Sequence, residues 1–246
     1  MDDIRAQDRL IVALDFDSDR EAMNLVKTLG KRVGFYKIGW QLFPSTGWSF
    51  VRALADEGKK IFLDLKIGDI DETVRAAVKN MPLEDGNLEL LTIQGNGATV
   101  KAAIAGKDGN KKPSILMLTA LSSWNDVDIK DFFGTENAPP LGDYIRLNAK
   151  KALDAGCDGV IASGASVRQI RQEFKGRDFL IVSPGIRPDG DRHDDHKRTL
   201  TPYDAITSGA DYLVVGRPIT RAGNPAAVAG SIIDDIDRAS SVAVVS

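Results

Sequence analysis

Eight short, continuously apolar runs with amphipathic stretches between them constrain this sequence more than any other feature. They are Leu10 to Leu14, Val33 to Ile38, Lys60 to Leu65, Leu88 to Ile93, Ser114 to Leu118, Gly159 to Ala162, Phe179 to Val182 and Tyr212 to Val215. Runs of this length without polar alternation are the pattern of parallel strands covered on both faces, since neither face meets water. Between them, Asp19 to Leu29, Gly47 to Asp56, Asp71 to Asn80 and Tyr144 to Ala155 read as helices, each followed closely by a turn residue or a new strand. Eight βα units suggest a closed (β/α)₈ barrel. A doubly wound open sheet fits the alternation nearly as well, because periodicity alone does not close a sheet. Nothing resembles a linker or a low-complexity stretch, so a single domain over residues 1–246 is expected.

Composition narrows the function. The chain is 43% hydrophobic and 27% charged with a net charge of -3, and its basic residues are spread along its length. That distribution gives no electrostatic footprint for nucleic acid or an anionic membrane, so small-molecule chemistry is expected. Met1 to Asp8 carries three acidic residues and no apolar run, unlike a secretory or transit segment, and no stretch has the length of a membrane span. The one cysteine, Cys157, suits a reducing compartment, and the expected location is the cytoplasm. Cys157 itself reads as a small buried hydrophobe at the start of a strand.

Charged residues fall where the strands finish: Asp15 after the first, Lys37 near the end of the second, Asp64 and Lys66 at the end of the third. Closing a barrel would converge them at the C-terminal ends of the strands, where barrel enzymes build their sites. Strand alternation puts Asp64 and Lys66 on one face, with Leu63 and Leu65 on the other. Such an array is either a structural ion-pair network or a reactive site. Asp69 has a local reading too, as the N-cap of a helix with Glu72 three residues on, in a capping box. Two connections are longer than the barrel requires, 122–143 after the fifth strand and 183–201 after the seventh, and both are candidate substrate walls or lids.

The string Asp64-Leu-Lys66-Ile-Gly-Asp69-Ile70-Asp-Glu-Thr73, preceded by Leu14-Asp15 and by Lys37-Ile38-Gly39, resembles the orotidine 5'-phosphate decarboxylases. Pro184-Gly185-Ile186-Arg187-Pro188 resembles the phosphate-side loop of that family, and Gly216-Arg217-Pro218-Ile219-Thr220 its final phosphate motif. The pieces agree in order and spacing over about residues 10 to 225. The resemblance implies a single (β/α)₈ barrel that converts orotidine 5'-monophosphate to uridine 5'-monophosphate without a metal or other cofactor. It implies that Lys66 donates the proton within a charged tetrad of Lys37, Asp64, Lys66 and Asp69. It further implies a homodimer, in which Asp69, Ile70 and Thr73 reach across the interface into the partner's site. Asp15 would hold ribose hydroxyls, Ser122 the pyrimidine, and Pro184, Arg187, Gly216 and Arg217 the phosphate side.

Departures from the family pattern concern the periphery. His196 stands where the family commonly has a phosphate-binding glutamine, and an imidazole donates differently from an amide. Gly68 replaces a frequent histidine, and Gln94-Gly95-Asn96-Gly97 replaces a His-Ala stretch. His193 and His196 with Asp194 and Asp195 between them invite a metal reading, against which a solvated charged loop is the simpler account. Gly95 to Val100 lacks the third glycine of a dinucleotide fingerprint, and Lys107 to Lys112 reads as a solvated basic loop. Two other functions compete: a magnesium-dependent sugar-phosphate decarboxylase or aldolase of the same wider family, and a non-catalytic phosphate-binding barrel. The magnesium-dependent relatives tend to carry glutamate where this chain has Lys37, and a mere binder has little use for the charged array.

Overall fold

A computed structural model describes residues 4–82, 87–189 and 199–243. Eight parallel strands close into one barrel in chain order: β1 (Leu10–Ala13), β2 (Phe35–Gly39), β3 (Lys60–Ile67), β4 (Leu88–Ile93), β5 (Ser114–Leu118), β6 (Gly159–Ile161), β7 (Leu180–Ser183) and β8 (Tyr212–Val215). Closure is direct, since β8 pairs with β1 through Leu10↔Leu213 and Ile11↔Val214. Each strand lies within or nearly within its predicted run, and the open-sheet alternative is removed.

The continuous hydrophobicity of the runs follows from two separate packings. Ile11, Phe35, Phe62, Leu90, Leu116, Ile161, Val182 and Val214, one from each strand, fill the barrel interior. Their neighbours, among them Leu10, Val12, Tyr36, Ile38, Leu63 and Leu91, face outward into the layer beneath the helices. Full burial of one such side chain contributes about 1.5–3 kcal/mol, so a polar residue is tolerated on either face only where it finds a partner.

The helices start and stop for local reasons. Ser18 caps Asp19–Leu29 by accepting from the Glu21 amide at 3.3 Å, and Gly30 ends it at a φ of 55°. The predicted Gly47 to Asp56 segment begins earlier, at Phe43, because Pro44 suits a first helical turn; the two parts join across a kink at Gly47. The last of the four predicted helices, Leu141–Asp154, also begins one turn before the predicted Tyr144, and the Leu141 amide donates to Asp126 Oδ1 at 2.8 Å. The long connection after β5 contains a helix that periodicity did not reveal, Asp126–Phe133, started by an Asn125 capping box.

Three local expectations need correction. Asp69 forms no capping box: the Asp71–Lys79 helix has Ile70 at its N-cap, and Asp69 Oδ1 accepts from the adjacent Ile70 amide. Glu72 is instead engaged by Arg75. Lys107 is buried rather than solvated, with Nζ 3.4 Å from Asp158 Oδ2, which also accepts from the Ile115 amide at the entry to β5. Cys157 is buried as expected but precedes β6, which starts at Gly159. Asp211 makes a similar pin at the entry to β7, accepting from the Ile181 amide and from Arg171, each at 2.7 Å. Polar pins at the strand entries leave the opposite rim to carry the chemistry.

Candidate active site

Register brings the charged strand ends together. Ala13 pairs with Lys37 and Gly39 with Asp64, so residues leaving β1, β2 and β3 at the same level become neighbours. Lys37 Nζ lies 2.9 Å from Asp15 Oδ1 and 3.7 Å from Asp64 Oδ2, while Lys66 Nζ donates to Asp64 Oδ1 at 2.9 Å. The result is a chain of alternating charge, Asp15–Lys37–Asp64–Lys66, along one wall of a cleft. Its floor is apolar, formed by Ala13, Phe62, Leu118, Ile161 and Val214.

Burial makes the pairing obligatory. The side chains of Lys37 and Asp64 are only 11% and 15% exposed, and an unpaired charge there would cost several kcal/mol. Burial by itself would raise the pKa of Asp64. The adjacent ammonium groups of Lys37 and Lys66, with hydrogen bonds from Lys66 and Thr92, outweigh it and hold the carboxyl below the ordinary range. Asp64 is therefore an anion at neutral pH.

Lys66 owes its position to an irregular backbone. The β3–β4 register shifts between Leu63 and Ile67, and Lys66 adopts a φ of 49°, a left-handed conformation that costs a lysine roughly 1–2 kcal/mol. Its amide donates to Thr92 Oγ1 at 3.0 Å. From this backbone its side chain meets Asp64, the residue two before it in the strand.

The rest of the cleft is lined by Ser122 after β5, Pro184 and Arg187 after β7, and Gly216 and Arg217 after β8, which pairs with β1 beside Asp15. Arg187 is buried, and its Nη1 donates to the Ile186 carbonyl at 2.8 Å. A bridge between Ile186 and Leu200 holds this segment, and the Arg187 amide donates to the Leu200 carbonyl at 2.9 Å. Arg187 and Arg217 line the same cleft as the lysine-carboxylate wall, and the β8 end meets that wall directly, since a Cβ at Gly216 would stand 3.8 Å from Asp15 Oδ2. A ligand with a phosphate at one end and a reactive ring at the other matches this combination.

Asp15, Lys37, Asp64, Lys66, Ser122, Pro184, Arg187, Gly216 and Arg217 thus line one cleft. Asp69, Ile70 and Thr73 do not line it within this chain. All three are exposed, Ile70 by 72%. His193 and His196 lie outside the described residues. Among the described residues, no group of three or more His, Cys, Asp or Glu side chains is placed to hold a metal ion.

Two site residues escaped the sequence reading. Thr92 is fully buried and donates to Asp64 Oδ1 at 2.8 Å; its signal was a lone hydroxyl within an otherwise apolar strand end. Gly39, read only as part of the Lys37-Ile38-Gly39 string and given no role of its own, is the other, since a Cβ there would stand 2.9 Å from Lys37 Nζ. Its place two residues after Lys37, on the same strand face, was the available clue.

Comparison with known proteins accords with this geometry. The family model described as "Orotidine 5'-phosphate decarboxylase / HUMPS family" matches residues 8–232. An orotidine 5'-phosphate decarboxylase of Nitrobacter winogradskyi is 43% identical over 231 residues, covering 94% of this chain and 93% of the relative. One from Rhodopseudomonas palustris is 40% identical over 238 residues, 96% of this chain and 97% of the relative. Among solved structures, an orotidine 5'-phosphate decarboxylase from Lactobacillus acidophilus superposes with a TM-score of 0.80 at 33% identity, covering 94% of this chain and 99% of that one.

Proposed function

The chain belongs to the orotidine 5'-phosphate decarboxylase / HUMPS family, and from that membership we propose that it decarboxylates orotidine 5'-monophosphate to uridine 5'-monophosphate in pyrimidine biosynthesis. It is an enzyme of the carboxy-lyase class. The observation that carries the reading is the Asp15–Lys37–Asp64–Lys66 chain, which shares an apolar-floored cleft with Arg187 and Arg217.

The chemistry asks for such an array. When the bond from C6 to the carboxylate breaks, carbon dioxide leaves and the electron pair stays on C6, in the ring plane and orthogonal to the π system. No ring group delocalises it, so electrostatic stabilisation carries the step. Lys66 holds an ammonium beside that carbon, offsets the developing charge, and then transfers a proton from Nζ to C6, giving uridine 5'-monophosphate. Solvent reprotonates the amine. Asp64 aims Lys66 through the 2.9 Å bond from its ammonium, and stands against the departing carboxylate. Lys37 and Asp15 fix Asp64 from behind, with Asp15 also facing the ribose hydroxyls.

Arg217, with Arg187, Pro184 and Gly216, serves the phosphate, and Ser122 serves the pyrimidine. His196 would add a phosphate contact from the loop after β7. The exposed Asp69, Ile70 and Thr73 complete a second copy's site in a homodimer, with Asp69 as the fourth charge of the tetrad. This accounts for an apolar Ile70 and two polar groups left in solvent beside the site of a single chain. Residues 1–246 make up one barrel domain. No helix among the described residues is long and apolar enough to cross a membrane, and the cytoplasm remains our reading of the location.

The array speaks for chemistry without a metal: the Lys37 ammonium sits between Asp15 and Asp64, where a divalent ion would otherwise neutralise two carboxylates. The magnesium-dependent reaction of sugar phosphates and the non-catalytic barrel are therefore the weaker alternatives. Loss of orotidine 5'-monophosphate absorbance, followed in excess EDTA with Lys66→Ala as control, tests the reading. Turnover that survives chelation and collapses in the variant is expected; no turnover by the folded native protein overturns it.

A further inference from the structure

Thr92 hydrogen-bonds both members of the Asp64–Lys66 pair without itself being charged or lining the cleft. It lies in β4 two residues after Leu90, an interior residue of the barrel, and alternation points its side chain into the same interior. Its hydroxyl meets the Lys66 amide at 3.0 Å and Asp64 Oδ1 at 2.8 Å. The amide can only donate and the carboxylate can only accept. The single hydroxyl proton therefore has one place to go, and the order Lys66 N–H to Thr92 O–H to Asp64 is fixed.

We infer that Thr92 is a positioning residue: through one hydroxyl it fixes both the rotamer of the Asp64 carboxylate and the left-handed backbone of Lys66, so that the lysine ammonium is aimed into the cleft. The inference rests on the proposed decarboxylation for the identity of the reaction, and on the hydrogen bonds alone for the positioning. With Oδ1 held by Thr92 and Lys66, Oδ2 is left toward Lys37. The groups that face Asp64 are thus Lys37 from β2, Lys66 from β3 and Thr92 from β4, with Asp15 acting through Lys37. Without Thr92, the Lys66 amide loses its acceptor at a residue whose φ of 49° is left-handed, and Asp64 keeps only its two lysine contacts.

The experiment compares Thr92→Val, which keeps the shape and removes the hydroxyl, with Thr92→Ser, which keeps the hydroxyl. Thr92→Ala, which cannot overpack, is included in case the valine variant does not fold. Expected for Val and Ala is a kcat lowered by about 10- to 100-fold, as for a modest misplacement of a reacting group, with KM within about twofold of native. Serine should recover most of the rate. NMR titration of carbon-labelled aspartates, without substrate, should show the Asp64 carboxyl moving upward in Val and Ala and staying near its native position in Ser. Native kcat together with an unmoved Asp64 titration in Val and Ala overturns the inference. If the native protein does not turn over orotidine 5'-monophosphate, the proposed reaction fails, while the Asp64 titration still decides the role of Thr92.

Discussion

Lys37 bonds Asp15 at 2.9 Å because the barrel register sets Lys37 directly beside Ala13, two residues before that carboxylate. Neither residue could be placed by its own strand. The bond is a property of the closed β1–β2 pair, and it fixes the ammonium where its other side faces Asp64.

Gly39 keeps that arrangement possible, and Gly39→Ala tests it. The added methyl would lie 2.9 Å from Lys37 Nζ, and the atom that must yield is the end of a flexible side chain. Stability should change little, whereas the displaced ammonium should lower kcat/KM by roughly 10- to 100-fold. A thermal melt and steady-state kinetics on the same preparation separate the two effects. Native kinetics in the alanine variant would show that the Lys37 position is not critical.

The depressed pKa of Asp64 predicts how stability responds to acid. Its carboxyl ionises more readily in the folded protein than at the ordinary value of 3.8. The unfolded chain therefore takes up the proton first as pH falls. The stabilisation from its pairing is fully present above about pH 5 and is lost progressively as pH drops through the unfolded and then the folded pKa. Asp64→Asn should therefore show a shallower acid-side loss of Tm below about pH 4 than the native protein. Parallel Tm profiles for the two proteins would mean that Asp64 is not the group responsible.

Sequence legibility tracked how local each physical cause is. Parallel strands buried on both faces leave an apolar run whatever their neighbours, so all eight were readable. Asp64 and Lys66 were readable because alternation puts them on one face, although the actual path at Lys66 departs from the pleat. Thr92 was not, because its partners lie 26 and 28 residues away across a strand pair. Lys107 was misread for the same reason, its partner Asp158 being 51 residues on. Asp69 matched a local capping pattern, yet the helix starts two residues later, at Asp71. In the long connection after β5, the short Asp126–Phe133 helix was marked only by the Asn125 and Asp128 pair of its capping box.

Subunit mixing tests the shared site proposed for the homodimer. Lys66→Ala and Asp69→Ala are each expected to be nearly inactive. In a mixed dimer, however, one site combines Lys66 of one chain with Asp69 of the other and is intact. Random exchange between equal amounts of the two variants should restore roughly a quarter of native activity, by the statistics of a two-fold symmetric dimer. Mixing without recovery, while sedimentation shows that exchange has occurred, would place Asp69 outside its partner's site.

Cys157 offers a probe of the barrel that does not depend on activity. Burial pushes its thiol up to about 11, and its Sγ sits 3.0 Å from the Ile115 carbonyl. The thiolate is the reactive form, so the folded protein should resist alkylation at neutral pH and react stoichiometrically once denatured. Because the folded pKa is raised, the unfolded thiol loses its proton first, and its contribution to stability declines as pH rises from about 9 toward 11. Rapid labelling of the native protein at pH 7 would show that the strand-six entry opens.

Gly68 joins two of the departures from the family pattern into one structural feature. A Cβ at this position would stand 2.5 Å from the backbone carbonyl oxygen of Gln94, closer than the chain can accommodate without moving. The Gln94 amide in turn donates to the Ile67 carbonyl at 2.9 Å, so the ends of β3 and β4 are clasped at this point. The absence of a side chain at Gly68 and the path of the Gln94 segment therefore depend on each other. The clasp also sets the course of the loop that carries Asp69 and Ile70. Gly68→Ala must push β4 away or shift that loop, and overpacking against backbone costs about 1–3 kcal/mol. We expect a lower Tm together with weakened dimerisation in sedimentation, since the displaced loop is the one assigned to the partner's site. A stable alanine variant with native assembly would show that the loop adjusts freely and that the Gly68–Gln94 contact does not govern it.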